Sequence, residues 1–459
     1  MSSKPCATIT GMVDVAPPDE ADILGTAVTA SGLAAEAPVK IPVQRYLSPD
    51  FAELEYERMW PKVWHVACTV DHIANSGDWF EHRLGKYSIL LVRGEDGVLR
   101  GFQNVCRHRG NSLCQGSGTG ITELRCPYHR WAWDLTGRLR EIPSRRGFGP
   151  ISNDDLPLVP VQVDTWARLV FVNLDLDAEP LADWLEGIPD DIAWANLDEF
   201  RGTYSTATAV NCNWKVVNEG FSETYHVQGL HREMLGSIND VNSPQRIWDR
   251  HGVSYQPYGV PSPRLGRNVD DQAVWDSFIV TQGGRMGPEY NEPCEAPEVS
   301  DDQTLQDVIA QKIRDHQATM GVDLSGYDTA QITHLSQYNL FPNTTVLISA
   351  DIFTVLTARP GPNPDEGELA TIHLSRMPSA DAPASSPVHV TVPMDQADFG
   401  FVLNQDFSVI RTMQKGLHQP GFTHVWLSGE ECRIINMHRN LERYINLEPG
   451  GWVPVDSAR

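Results

Sequence analysis

At 459 residues the chain is too long for one small core, so two or three packed units are expected. Its 41% hydrophobic and 21% charged content is ordinary for a globular protein. Against 60 acidic residues stand 36 basic ones, and the resulting charge of −24 repels phosphate backbones and disfavours nucleic acid as a partner.

Residues 1–40 are rich in Ala, Pro and small polar residues without a clear period, and they read as a mobile arm. No apolar stretch flanked by positive charge marks a leader there, and no run reaches the roughly eighteen apolar residues of a membrane helix. A cytoplasmic enzyme is the expectation. From Tyr46 to Trp64 the spacing predicts a helix that starts at Ser48-Pro49-Asp50 and repeats Phe51, Leu54 and Met59 on one face. Residues 88–105 predict a hairpin, with β-rich runs on either side of Gly94-Glu95-Asp96-Gly97.

Cys106 and His108 follow that hairpin at C-x-H spacing, and after seventeen residues Cys126 and His129 follow at C-x-x-H. The chain's eight cysteines are too sparse for a secreted disulfide scaffold, which favours reduced thiols with some serving as ligands. Two thiolates and two imidazoles can hold a structural zinc. Zinc knuckles of this kind usually pair like with like, whereas here each turn mixes one Cys with one His. That interleaving also suits a [2Fe–2S] cluster with both cysteines on one iron and both histidines on the other. Cys114 lies off these spacings and reads as a packed thiol.

Residues 169–176 read as a further strand, which closes a small β-rich unit over 41–175. Residues 213–231 have helical character and contain Glu223, His226 and His231. On one helix Glu223 and His226 share a face, but five residues turn about 500° and set His231 about 140° away from His226. Both can reach one metal only where the helix ends or distorts, and Gly229 makes distortion cheap. Residues 255–300 are Pro/Gly-rich and read as a lid or mobile loop. Strands are expected at 345–360 and 370–378, and helices at 399–417 and 430–445. Asp406 lies in the first of these helices, where alone it could be an ordinary solvated charge. His65, His72, His334 and His438 carry only a structural reading.

Taken together, these stretches resemble the catalytic (alpha) subunits of Rieske non-haem iron ring-hydroxylating oxygenases. The resemblance rests on C-x-H…C-x-x-H with Trp131 and Gly137 following, on Asn213-Trp214-Lys215, Glu219-Gly220 and Glu223-Thr224-Tyr225-His226…His231, and on Asp406 with Gln414, Gly416 and Leu417 in register. It spans about residues 42–446. Arg130 departs from the family, which usually has glycine there, and Gly220 stands where Asn is frequent.

The resemblance implies an α+β fold, with a small all-β Rieske domain and flanking helix over 41–175. A larger helix-grip (START-like) catalytic domain of antiparallel sheet and helices would occupy 176–459. It implies a Rieske [2Fe–2S] cluster on Cys106, His108, Cys126 and His129, and mononuclear Fe(II) on His226, His231 and Asp406. Glu223 is then the acid that bridges His226 to His129 of a neighbouring chain, as expected of a homotrimer. The implied partners are O2, a reductase or ferredoxin and a small-molecule substrate. A hydrophobic aromatic or polycyclic substrate is the first expectation, with mono- or dioxygenation open. A quaternary ammonium compound is the alternative, suggested by Glu where many relatives have Asp and by Trp faces that can bind cations. A Rieske electron carrier and a zinc-stabilised binding module are the other classes left open.

Overall fold

The computed structural model describes residues 38–266 and 269–451. The arm read over 1–40 lies almost wholly outside these residues. Two β-sheets occupy the first part of the chain. A seven-stranded antiparallel sheet joins, in spatial order, His65–Thr69, Leu169–Asn173, Pro160–Trp166, Leu99–Gln103, Tyr87–Arg93, Trp79–Leu84 and Ser117–Gly118. A small three-stranded sheet joins Leu124–Arg125, Ala132–Trp133 and Leu139–Glu141. The expected hairpin is present, with Ile89 opposite Gln103 and Arg93 opposite Leu99.

The second part is an eight-stranded sheet ordered Gln245–Ile247, Gly252–Gln256, Leu335–Leu340, Thr344–Ile348, Phe353–Pro360, Gly367–Arg376, Phe200–Val210 and Val388–Thr391. All pairings are antiparallel except the last, where the edge strand runs parallel to Phe200–Val210. The helix Phe401–Leu417 buries Asp406, Phe407, Ile410, Gln414 and Leu417, so its apolar stripe carries two polar residues inward. The helix Cys432–Ile445 is buried around most of its circumference. The architecture is thus α+β, with a small β unit beside a larger sheet-and-helix unit.

Two sequence readings need correction. The stretch 255–300 is not a loop throughout: Asp271–Gln282 is a helix, capped by the Asp270 carboxylate accepting the Ala273 N–H at 2.9 Å. It buries Val274, Trp275, Phe278 and Ile279 in a second apolar cluster with Ile309 and Ile313 of the helix Leu305–Thr319. The flanking Pro and Gly residues masked a helical period only twelve residues long.

The stretch 41–64, grouped by sequence with the first unit, straddles both units. Its helix Pro49–Arg58 starts where expected, with the Ser48 hydroxyl accepting the Phe51 N–H. From this helix Glu55 reaches the larger unit, accepting from Lys215 Nζ at 2.6 Å and from Trp214 Nε1 at 3.2 Å, all fully buried. Ahead of it, Val39–Pro42 pairs with His424–Leu427, and Arg45 donates to Glu442 at 2.6 Å. No helix among the described residues is long and apolar enough to cross a membrane.

Asp71 ties the two units together. Its fully buried carboxylate accepts Arg168 Nη2 at 2.7 Å from one side and the Gly202 N–H at 2.9 Å from the other. Removing a buried ionic partner strands the remaining donors. We therefore expect Asp71→Ala to cost about 3 kcal/mol in chemical denaturation and to separate the unfolding of the two units. A single transition at the wild-type midpoint would show that Asp71 is not a latch.

Candidate metal centres

Two turns of matching geometry present the four residues of the first motif. In one, the Cys106 N–H donates to Asn111 O and the Gly110 N–H to Cys106 O; in the other, the Cys126 N–H donates to Trp131 O and the Arg130 N–H to Cys126 O. The residue four after each cysteine is left-handed, at φ 77° for Gly110 and 64° for Arg130. This is the physical reason glycine suits the Arg130 position, because a side chain there costs about 1 kcal/mol.

Both thiols are buried and free, and Cys106 and Cys126 are electrostatic neighbours. Burial, helped by that neighbour, raises the Cys106 pKa. The imidazoles take the outer side: His108 stacks on Trp131 at 4.9 Å and 3°, and its ring lies 4.6 Å from that of His129. Nδ1 of His108 is buried without a hydrogen-bond partner, a donor atom waiting for a ligand. Two facing thiols inside and two rings outside fit a [2Fe–2S] group with mixed ligation. Cys114 is half-buried, and burial pushes its thiol up to about 11, consistent with a packed thiol.

The second centre depends on a helix that stops. Trp214–Gly220 is helical, with the Asn213 side chain capping the Lys215 N–H at 3.0 Å. The chain then turns through Phe221–Thr224 and makes one further helical turn, Val227–Leu230, with His226 and His231 at its two ends. The distortion falls on His231 itself, at φ −108° and ψ 50°, and Gly229 stays helical. The two rings come to 4.9 Å. Asp406 Oδ1 lies 2.9 Å from His231 Nε2 and 3.7 Å from His226 Nε2. The three ligand atoms lie within 4.8 Å of one another, the one such group among the described residues.

Each ring is oriented from behind. Glu223 accepts from His226 Nδ1 at 2.5 Å with one oxygen and from the His226 backbone N–H at 3.0 Å with the other. His231 Nδ1 meets Gln405 Oε1 at 2.7 Å, while Gln405 Nε2 donates to Glu233 at 3.3 Å. A carboxylate can only accept, so the Gln405 amide has one consistent orientation and His231 carries its proton on Nδ1. Both Nε2 atoms therefore point toward Asp406, and His231 Nε2 lies within hydrogen-bond distance of its carboxylate. Two imidazoles and one carboxylate converging on one point fit the facial arrangement of non-haem Fe(II). Burial works against charging His226, but Glu223 and Asp406 outweigh it and raise its pKa.

Further along its helix, Gln414 accepts the Asn213 N–H at 3.0 Å and donates to Asp365 at 2.6 Å, tying the Asp406 helix to the start of Trp214–Gly220. Four residues before Glu223, Glu219 accepts from Tyr46 at 2.7 Å and meets His438 Nε2 at 3.0 Å. Burial pushes the Glu219 carboxyl up to about 8. Sequence reasoning missed Gln405 and this buried network, although "NQD" placed an amide beside the expected carboxylate. Beside the site, Phe221 lies in the main core and Leu230 is half-buried. Space beside Gly220 is open.

Comparisons with known proteins divide the chain in the same way. Residues 63–161 match the Rieske [2Fe-2S] domain, and residues 197–447 match the ring hydroxylating alpha subunit (catalytic domain). The carnitine monooxygenase oxygenase subunit of Escherichia coli K12 is 31% identical over 226 residues, covering 49% of this chain and 59% of that protein. The glycine betaine monooxygenase oxygenase subunit of Pseudomonas aeruginosa PAO1 is 29% identical over 264 residues, covering 54% of this chain and 61% of that protein. The alignments thus span about three-fifths of these curated relatives. A crystal structure of a quaternary ammonium Rieske monooxygenase with L-carnitine superposes with a TM-score of 0.63 at 18% identity, covering 90% of this chain and 97% of that one. At that identity the likeness concerns the fold.

Protons and metal compete for the raised His226 ring, so Fe(II) affinity should climb as pH rises through and above the ordinary imidazole range, with proton release on binding. Calorimetry in two buffers of different ionisation enthalpy measures that release. Gln405→Leu should weaken Fe(II) binding about tenfold or more. Unchanged affinity in this variant would remove Gln405 from the account of His231.

Proposed function

The chain belongs to the ring-hydroxylating alpha-subunit family, and on that premise we propose that it is a Rieske oxygenase component acting on a quaternary ammonium compound. The observation that carries this reading is the convergence of His226, His231 and Asp406, with Glu223 seated on the outer nitrogen of His226. Cys106 and Cys126 would hold one iron of the cluster, His108 and His129 the other, and His226, His231 and Asp406 the mononuclear ion. When bound, the cluster supplies single electrons from an external NAD(P)H-dependent reductase or ferredoxin, and the Fe(II) supplies open positions for activating O2.

The chain's own groups set the path. Glu223 holds the His226 ring and its Nδ1 proton in place, which fixes the tautomer and raises ligand basicity. Its bridging role requires His129 of a second copy, and a closed homotrimer satisfies that need in every subunit. Support comes from the cluster tip, where Tyr128 is 57% exposed beside His129. Arg107 and Arg130, the neighbours of His108 and His129, are exposed there and form no ion pair among the described residues. Exposed cations in a chain of charge −24 suit an acidic partner surface.

The substrate reading follows the relatives' names, carnitine and glycine betaine monooxygenase, together with Glu at position 223. It takes precedence over the aromatic or polycyclic substrate first expected from sequence. Monooxygenation at a C–H bond consumes one O2, two electrons and two protons and yields one water. A C–H bond beside the quaternary nitrogen is the natural target.

Reconstituted protein should contain about three irons and two labile sulfides per chain. With a surrogate reductase it should oxidise carnitine or a betaine in preference to naphthalene. Zinc without sulfide, or oxidation of the arene alone, would sink the reading. Glu223→Gln should retain both centres yet slow the reoxidation of reduced cluster in a single turnover by about a hundredfold. A wild-type rate would exclude the bridging role.

A further inference from the structure

Arg433 is fully buried on the helix Cys432–Ile445 and has no carboxylate as a hydrogen-bond partner among the described residues. Its guanidinium meets three neutral amides instead: Nε donates to Gln245 Oε1 at 2.9 Å, and Nη1 donates to Gln337 Oε1 at 2.9 Å and to Asn339 Oδ1 at 2.5 Å. A buried cation hydrogen-bonded only to neutral oxygens is costly even with the Glu223 charge favouring it from farther off, and such a feature calls for a reason. Its remaining nitrogen, Nη2, is buried without a partner.

One reason would be capture of a substrate carboxylate. The space argues against it. The cavity lined by Arg433, Asn339, Asn218 and Ser222 has a volume of about 10 Å³, room for a single water and not for a carboxylate.

The other direction leads to the site. Guanidinium only donates, so the Asn339 oxygen must face Arg433 and its amide nitrogen must face away. That nitrogen donates to Phe221 O at 2.9 Å and to Ser222 Oγ at 3.2 Å. Phe221 and Ser222 form the turn where the helix Trp214–Gly220 stops, and Glu223 is the next residue. No helical ladder extends past this point to hold the carboxylate in place.

We propose that Arg433 is a positioning residue: by orienting Asn339 it pins the Phe221–Ser222 turn and thereby aims the Glu223 carboxylate at His226. The inference rests on the functional reading above for its consequence, namely electron transfer through Glu223, but the clamp itself is a property of the metal-free chain.

Two conservative variants test it. Asn339→Asp still accepts from Arg433 but cannot donate to Phe221, and Arg433→Lys keeps the charge but loses the fork. In both, hydrogen exchange at the Ser222–His226 amides of the metal-free protein should quicken about tenfold or more, with the rest of the sheet unchanged. Iron and sulfide content and substrate KM should stay at wild-type values, while single-turnover cluster reoxidation slows about tenfold. Wild-type exchange in both variants overturns the clamp. Faster exchange with wild-type reoxidation overturns the positioning role, and so does a loss confined to iron content. A wild-type protein without mononuclear iron or substrate oxidation would defeat the functional reading instead, and the exchange result would still decide the clamp.

Discussion

Two imidazoles five residues apart must bring their Nε2 atoms to one point, and a continuing α-helix would place them about 140° apart. The catalytic unit is organised around breaking that helix twice. The first break, after Gly220, frees Glu223 to turn back onto His226. The second, at His231, rotates its ring toward Asp406. A broken helix loses the hydrogen bonds that would hold it, so tertiary contacts must replace them. Gln405 does so for His231 and Asn339 for Phe221, while Glu223 holds His226 locally from within the same turn.

The charged groups around this segment show the same division of labour. Lys215–Glu55, Arg45–Glu442 and Arg264–Asp240 are ion pairs with nearly inaccessible side chains. Replacing such pairs with apolar residues is often neutral for stability, so their value lies in specifying one arrangement. Arg264 illustrates this: it also reaches Glu430 at 3.0 Å and Gln228 at 3.2 Å, and Gln228 sits on the one-turn helix between the two histidines.

Much of this was legible in the sequence because ligand chemistry restricts both residue type and spacing. The C-x-H and C-x-x-H turns and the Glu223–His226–His231 run could each be read locally, whereas Asp406 stood out only through the family resemblance. The helix Phe401–Leu417 was legible through its apolar stripe, which drags Asp406 inward. What stayed hidden depends on distant partners. Asn339 meets Phe221 across 118 positions, and Arg433 meets Gln245 across 188. No local period encodes such pairings. The helix Asp271–Gln282 failed for the opposite reason, since its short apolar period was drowned by neighbouring Pro and Gly. Arg130 became intelligible only when the two cysteine turns could be compared, since it occupies the left-handed position that Gly110 fills in the other.

The pairing of Val39–Pro42 with His424–Leu427, together with the burial of Arg45 against Glu442, makes the Rieske unit an insertion and not an N-terminal appendage. During synthesis on a ribosome the first strand emerges some 380 residues before its partner. The Rieske unit, whose strands pair within His65–Asn173, can close on itself long before then. Assembly of the larger unit is therefore a late, long-range event, with an already folded passenger carried inside it.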